Sequence, residues 1–292
     1  MISRRYIFAF LLVVPFSLLV SAQGDNDEVG IWSEVGVEKA ITKNWDVGLD
    51  MEFRAQNKAR FSVGLGTSYK VNKYLKFGLN YNFLYSEKNK YKVKEEGEIG
   101  SDDWTRGYNL IDEWYPRHRF SAEAIGSIKL WKWLKVSLRE RYQLTHRRAW
   151  SAEKHEHREN HIKHYDFDED WNEISWDEVY VIDRTEIKEY PALNDQVLRS
   201  RLKLEMDKKR CPFSPFVSAE FHNSVSRGDH MLLQKIRTGV GCSYKFRKHN
   251  EVTLAYLTTF DMYDIEEDET TRETVRLHDR LHAINIGYKY SF

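Results

Sequence analysis

The sequence predicts an all-β fold: an antiparallel transmembrane outer-membrane β-barrel of roughly 10–12 strands, with short periplasmic turns and long extracellular loops. Three observations predict it. Large apolar side chains recur at every second position in long runs, and side chains on a strand alternate between two faces. The links between runs alternate between tight and long. The last residues, "NIGYKYSF", keep the two-residue rhythm through Ile284, Ile286, Tyr288 and Tyr290 to Phe292, where chain ends usually fray.

The first element is not part of the wall. Arg4 and Arg5 precede an apolar stretch from Tyr6 to Val20, and Ser21–Ala22 follows it. Residues 1–22 therefore read as a secretory signal, too short to span as a helix. No cysteine follows that stretch directly, so a lipid anchor is not expected. Residues 23–292 then form the barrel. Beyond Ala22 no apolar run approaches the roughly 18 residues of a membrane helix. Aromatics make up 14% of the chain, with 17 Tyr and 9 Trp. The 45 basic and 45 acidic residues cancel, so nucleic acid is not expected as a partner.

The wall begins with clear alternation. "NWDVGLDMEFRAQ" puts Trp45, Val47, Leu49, Met51 and Phe53 on one face and Asp46, Gly48, Asp50, Glu52 and Arg54 on the other. The next run sets Phe61, Val63, Leu65, Thr67 and Tyr69 against Arg60, Ser62, Gly64, Gly66 and Ser68. Leu75, Phe77, Leu79, Tyr81, Phe83 and Tyr85 then alternate with Lys76, Gly78, Asn80 and Asn82. Further runs cover residues 117–130, 134–145, 196–207, 213–223, 231–246, 251–260 and 280–292. Their length decides between two readings. A tilted strand needs about 9–11 residues to cross a bilayer, and ordinary globular strands average about 5–6.

The tight links are "ITKN", "VNKY", "WKWL", "DKKRCP" and "RKHN", and the long ones cover 86–113, 146–190, 224–230 and 261–279, with "QNKA" the short exception on that side. Trp131 and Trp133, with Tyr288 to Phe292, predict an aromatic girdle at the tight-turn end. Outer-membrane lipid is the expected partner of the outer face. Barrel assembly machinery is expected to read the strand ending at Phe292. Counting back from that strand, the run at 44–57 completes ten, and "VGIWSEVGVEKA" (Val29 to Ala40) is an eleventh entering from the wrong side. Bacterial single-chain barrels have even numbers. Either this segment lies outside a ten-strand wall or a twelfth strand exists, and the alternation in 174–190 favours twelve. Glu140 falls on the lipid face in this register, which predicts a bulge there.

Three stretches, "GIWSEVGVEKAITKNWDVGLDMEFR", "SPFVSAEF" and "KIRTGVGCSYKFRKHNEVTLAYL", resemble the outer-membrane barrel family catalogued as domain of unknown function 2490. The likeness spans nearly all of residues 23–292 and rests on strand-end patterns at Trp32, Arg54, Glu220 and Arg237. It implies a barrel in a two-membrane envelope and supplies no catalytic signature.

The inward faces carry the chemistry. Asp50, Glu52, Glu123, Arg139, Arg141, Arg199, Arg201, Glu205, Glu220 and Arg237 form the predicted lumen charge network, joined by Lys203, Lys235 and Glu251. A polar channel whose basic stripe favours an anionic solute is one reading. The favoured one is a paired network filling a narrow barrel, because an unpaired buried charge is costly. In "HEHRENHIKH", a helix would bring His157, His161 and His164 to one face at a metal-ligating spacing, beside His155. Asp166, Asp168, Asp170 and Asp177 echo a calcium loop, but Trp171 stands where that loop needs glycine. "FHNSVSRGDH" places His222 near Ser224 and Ser226, without the pattern of outer-membrane lipid hydrolases. A turn midway between Ser226 and Arg227 would set Cys211 opposite Cys242, in a compartment where disulfides form. No cofactor is expected. The predicted role is a narrow channel or surface-loop scaffold without catalysis; the rival is an outer-membrane enzyme acting on lipid or glycan.

Overall fold

The computed structural model describes residues 27–56, 58–96, 103–167, 171, 173–208, 211–226, 231–262, 265–267, 274–276 and 280–292. The predicted secretory signal, residues 1–22, lies outside them. All regular structure among them is β-strand: β1 (Asp27–Ala40), β2 (Trp45–Ala55), β3 (Arg60–Lys70), β4 (Leu75–Glu96), β5 (Asp103–Leu130), β6 (Leu134–Arg147), β7 (Trp150–Phe167), β8 (Glu173–Tyr190), β9 (Leu193–Met206), β10 (Phe213–Ser224), β11 (Leu232–Phe246), β12 (Asn250–Asp261), β13 (Ile265–Glu267), β14 (Thr274–Arg276) and β15 (Arg280–Ser291). The chain divides into two compact units. One holds the described residues up to Tyr85, Pro116–Arg147 and Leu193–Phe292; the other holds Ser86–Tyr115 and Arg148–Ala192.

The first unit is a closed barrel of eleven strands. Neighbours run β4, β3, β2, β1, β15, β12, β11, β10, β9, β6 and β5, and a β4–β5 pairing closes the ring. The expectations of twelve strands, or of ten with Val29 to Ala40 outside, are both corrected. Strands alternate in direction along the wall, so an odd number makes the first and last run the same way. The seam is accordingly parallel, from Asp27 opposite Arg280 to Glu38 opposite Ser291. A parallel ladder satisfies the backbone with slanted bonds and leaves no open edge. It continues to the last residue: Phe292 N donates to Glu38 O at 3.0 Å and Ala40 N to Phe292 O at 3.0 Å.

The wall strands contained in this unit are long enough to cross a bilayer: 11 residues in β2 and β3, 12 in β10, β12 and β15, 14 in β6 and β9. Their outward side is an apolar band that includes Leu49, Leu65, Leu79, Leu138, Val217 and Leu254, all exposed. Aromatics gather at the short-turn end. Trp131 and Trp133 sit on one turn with ring centroids 6.2 Å apart, and Phe213, Tyr244 and Phe246 form a second cluster.

The expected bulge at Glu140 is absent. Both pairings of β6 run through it without a break, Ala124 and Ser200 being its partners. Its carboxylate stays on the outward face and accepts a 2.6 Å hydrogen bond from Ser200 Oγ, so a polar neighbour does what a bulge was expected to do. The bulge lies elsewhere, between His222 and Asn223 of β10.

The second unit contains residues 148–190 of the segment read as a long loop, 146–190, whose first two residues end β6. It is built as a hairpin, with β7 and β8 paired from Trp150 opposite Tyr190 to Phe167 opposite Glu173. β7 also pairs with β5, from Asp103 opposite Ile162 to Leu110 opposite His155. The alternation in 174–190 is therefore genuine strand alternation, but its partner is β7 and not the wall. Tyr115, Trp150 and Tyr190 stack with successive centroids 4.8 Å apart.

One wall register makes this insertion testable. Arg147 and Leu193 are cross-strand partners on β6 and β9, which are neighbours in the ring. Replacing residues 148–192 by Asn-Gly, a residue pair suited to a two-residue hairpin, should close β6 onto β9 directly. The shortened protein is expected to keep the band shift between heated and unheated detergent gels that marks a folded barrel. Loss of that shift would mean the hairpin is needed for the wall.

Candidate functional site

Alternation that turns leucines outward turns charge inward. On β2 the inward face carries Asp50, Glu52 and Arg54; on β5 it carries Arg119 and Glu123; on β6, Arg139 and Arg141; on β9, Arg199, Arg201, Lys203 and Glu205; on β10 and β11, Glu220 and Arg237. Space is made by small residues. A Cβ at Gly64 would lie 2.5 Å from the Asp50 carboxylate, so glycine there lets Asn82 Nδ2 reach Asp50 Oδ2 at 3.3 Å. A cavity of about 520 Å³ remains inside, and most of the predicted network lines it.

The pairing is uneven. Glu220, 4% exposed, accepts from Arg139 Nη2 at 2.7 Å and from Arg199 Nε at 2.9 Å, with His222 Nε2 2.7 Å away. Glu52 takes both nitrogens of the Arg54 fork at 2.8 Å each, and Arg60 Nη2 at 2.5 Å. Glu123 pairs with Arg141 Nε at 2.7 Å, and Lys203 with Glu205 at 2.8 Å. Arg201 and Arg237 are the direct cross-strand neighbours of Glu220, yet neither forms an ion pair with a described residue. Trp32, 1% exposed, lies under two guanidinium groups, Arg54 at 3.7 Å and Arg237 at 4.8 Å from its ring. Its Nε1 donates to Gln56 Oε1 at 2.8 Å.

Of the ten residues predicted for the lumen, Asp50, Glu52, Arg139, Arg141, Arg199, Arg201, Glu220 and Arg237 line the cavity, and Glu123 and Glu205 are ion-paired to lining residues. Arg54, Arg60, Arg119 and Trp32 line it as well and were not in that set. The signal for Arg119 was present: it lies four residues before Glu123, on the same face of the same strand.

A family model, "Protein of unknown function (DUF2490)", matches residues 29–269. The chain belongs to this family. No curated protein matches it. Among solved structures it is similar to the CymD monoaromatic hydrocarbon channel, at 11% identity and a TM-score of 0.39 over 86% of this chain and 87% of that one. It is also similar to the TodX deltaS2S3 mutant monoaromatic hydrocarbon channel, at 12%, 0.41, 85% and 71%. The translocator domain of the autotransporter NalP from Neisseria meningitidis follows at 9%, 0.28, 86% and 89%.

The remaining candidates in this member of the family dissolve into ordinary structure. The histidine-rich stretch is strand β7, not helix, so His157 and His161 share one face and His164 takes the other. His161 stacks on Trp104 at 3.7 Å, and His164 Nε2 lies 2.8 Å from Glu178. Among the described residues no group of three or more His, Cys, Asp or Glu could hold a metal ion. Asp168 and Asp170 of the calcium-like stretch lie outside the described residues, while Asp166 and Asp177 sit on paired strands. His222 is engaged with Glu220, and Ser226 Oγ accepts from Gln196 N at 3.0 Å, so neither is arranged as a nucleophile with its base. Cys242 stands opposite Pro215, not Cys211, because the β10–β11 register centres about two residues further along the chain than a turn between Ser226 and Arg227 would set it. Both thiols are free.

His157 supplies a pH-dependent observable. Its Nδ1 lies 2.6 Å from Asp183 Oδ1 and its Nε2 3.2 Å from Glu159 Oε1, and both hydrogen bonds raise its pKa above the ordinary histidine value. A raised value means these contacts support the hairpin fully at pH below the unfolded-state pKa. The support fades as pH rises through the folded one. NMR titration of His157 is expected to show the upward shift, and Asp183→Asn to reduce it; an unchanged titration would place the pair apart.

Proposed function

We propose that this protein is an outer-membrane β-barrel acting as a narrow, charge-lined channel, without catalysis. One observation carries the reading. A ring of strands with an apolar outer band encloses a polar cavity of about 520 Å³, and that combination suits a bilayer outside and water with solute inside. The surrounding partner is outer-membrane lipid. The ladder that ties Phe292 to β1 supports a C-terminal strand presented for barrel assembly.

Purified protein reconstituted in planar bilayers tests it. Discrete conductance steps are expected, small because arginine and glutamate side chains narrow the path. A silent membrane containing heat-modifiable, inserted protein would leave a closed scaffold instead. The enzymatic rival predicts turnover of phospholipid or lipopolysaccharide acyl chains that His222→Ala abolishes.

A further inference from the structure

We propose that an arginine ring in the lumen binds a small phosphate-class oxyanion, an inference that rests on the lumen being the functional surface of the barrel. The ring is formed by Arg54, Arg60, Arg119, Arg199 and Arg237, from β2, β3, β5, β9 and β11, and all five line the one cavity. They lie close enough to repel one another across it. Arg119 feels Arg60, Arg199 and Arg54, and Arg237 feels Arg54, Arg199 and Arg60.

The carboxylates at hand do not balance this charge. The described lining holds ten Arg and Lys side chains against five Asp and Glu, and Glu123, Glu205 and Glu38 just outside it pair with Arg141, Lys203 and Lys289. Glu52 is occupied by Arg54 and Arg60, and Glu220 by Arg139, Arg199 and His222. The lining carboxylates Glu34 and Asp50 bond to Asn285 and Asn82 rather than to arginine. Arg119 and Arg237 each spend Nε on a threonine hydroxyl, Thr145 at 3.1 Å and Thr259 at 3.0 Å. Among the described residues no carboxylate forms an ion pair with either. Three cross-strand pairs even set arginine directly opposite arginine: Arg54 and Arg60, Arg139 and Arg201, Arg141 and Arg199. Like charges so placed are destabilising, and an anion between them would offset that repulsion.

An anion resolves the imbalance, and the geometry favours a particular kind. The planar arginine fork matches the oxygen pairs of a phosphoryl group better than it matches a spherical halide. The Arg237 guanidinium is already held over Trp32 and by Thr259, so little ordering of it remains to be done on binding. A cavity of about 520 Å³ admits inorganic phosphate or a small organic phosphate.

Full-length protein folded in detergent is titrated calorimetrically with sodium phosphate and with glycerol 3-phosphate, at ionic strength held constant with sodium chloride. Saturable binding near one site per chain is expected, with a rise in the temperature at which the folded gel band is lost. Arg119→Gln and Arg237→Gln, each checked for a folded band, should weaken binding at least tenfold. Arg119→Lys and Arg237→Lys should recover part of it, and Arg184→Gln in the β7–β8 hairpin should leave it unchanged. Tighter binding of either probe identifies free or organic phosphate as the source. A response no greater than that to chloride, a response to citrate alone, or glutamine variants that bind like the parent would overturn the proposal. Absence of bilayer conductance with phosphate binding intact would sink the channel reading and leave this one standing. Conductance without phosphate binding would do the reverse.

Discussion

Glu220→Ala is expected to destabilise the barrel by roughly 3–5 kcal/mol, the cost of stripping the partner from buried charges. The carboxylate is 4% exposed and serves three cationic or protonatable groups at once, Arg139, Arg199 and His222. Removing it leaves Arg139 opposite Arg201 and Arg199 opposite Arg141, both stripped of that partner. Glu220→Gln keeps an oxygen acceptor for one arginine and should cost less than the alanine change. Denaturant unfolding from lipid bilayers measures both. Equal and small losses would show that water in the lumen, and not Glu220, solvates those arginines. A double-mutant cycle with Arg139→Ala should return a coupling of about 0.5–3 kcal/mol, as for groups in direct contact.

What could be read beforehand divides along the range of the interaction. Strand identity and inside-outside sense follow from a two-residue period carried by each run alone, so Leu49 outward and Asp50 inward were legible without any partner. The same local rule delivered the inward arginines of β6 and β9. Which carboxylate each would find was not legible, because Glu220 meets Arg139 over 81 positions of sequence and skips its nearer cross-strand neighbours Arg201 and Arg237. The parallel seam was out of reach for the same reason. It joins residues about the whole length of the chain apart, and the rule of even strand number pointed the other way. The strand in the histidine-rich stretch was not legible because a charge-mixed sequence has no apolar period to separate helix from strand. Its strand character comes from pairing with β5 and β8.

Leu49→Arg is expected to cost roughly 2–4 kcal/mol, the penalty for a basic side chain at the bilayer midplane on the lipid face of a barrel. Leu49 lies near the middle of β2, between Val37 of β1 and Leu65 of β3, in the centre of the exposed apolar band. The sign of the effect carries the argument. Leu49 is 43% exposed in the folded chain. On a barrel standing in water, exchanging so exposed a leucine for arginine would be close to neutral, since surface substitutions away from special features usually fall within about 0.5 kcal/mol. Only a hydrocarbon surround makes the same exchange expensive. Gly48→Ala, one residue away on the inward face, is the internal control. Its new Cβ would sit 3.3 Å from Val37 O, a contact that a shift of a few tenths of an ångström relieves, so its cost should fall well below that of Leu49→Arg. Unfolding in lipid vesicles measures the pair. A large penalty at Leu49 with a small one at Gly48 supports both the register and the membrane setting. Two small penalties would keep the register and remove the membrane, and a larger penalty at Gly48 would turn β2 inside out.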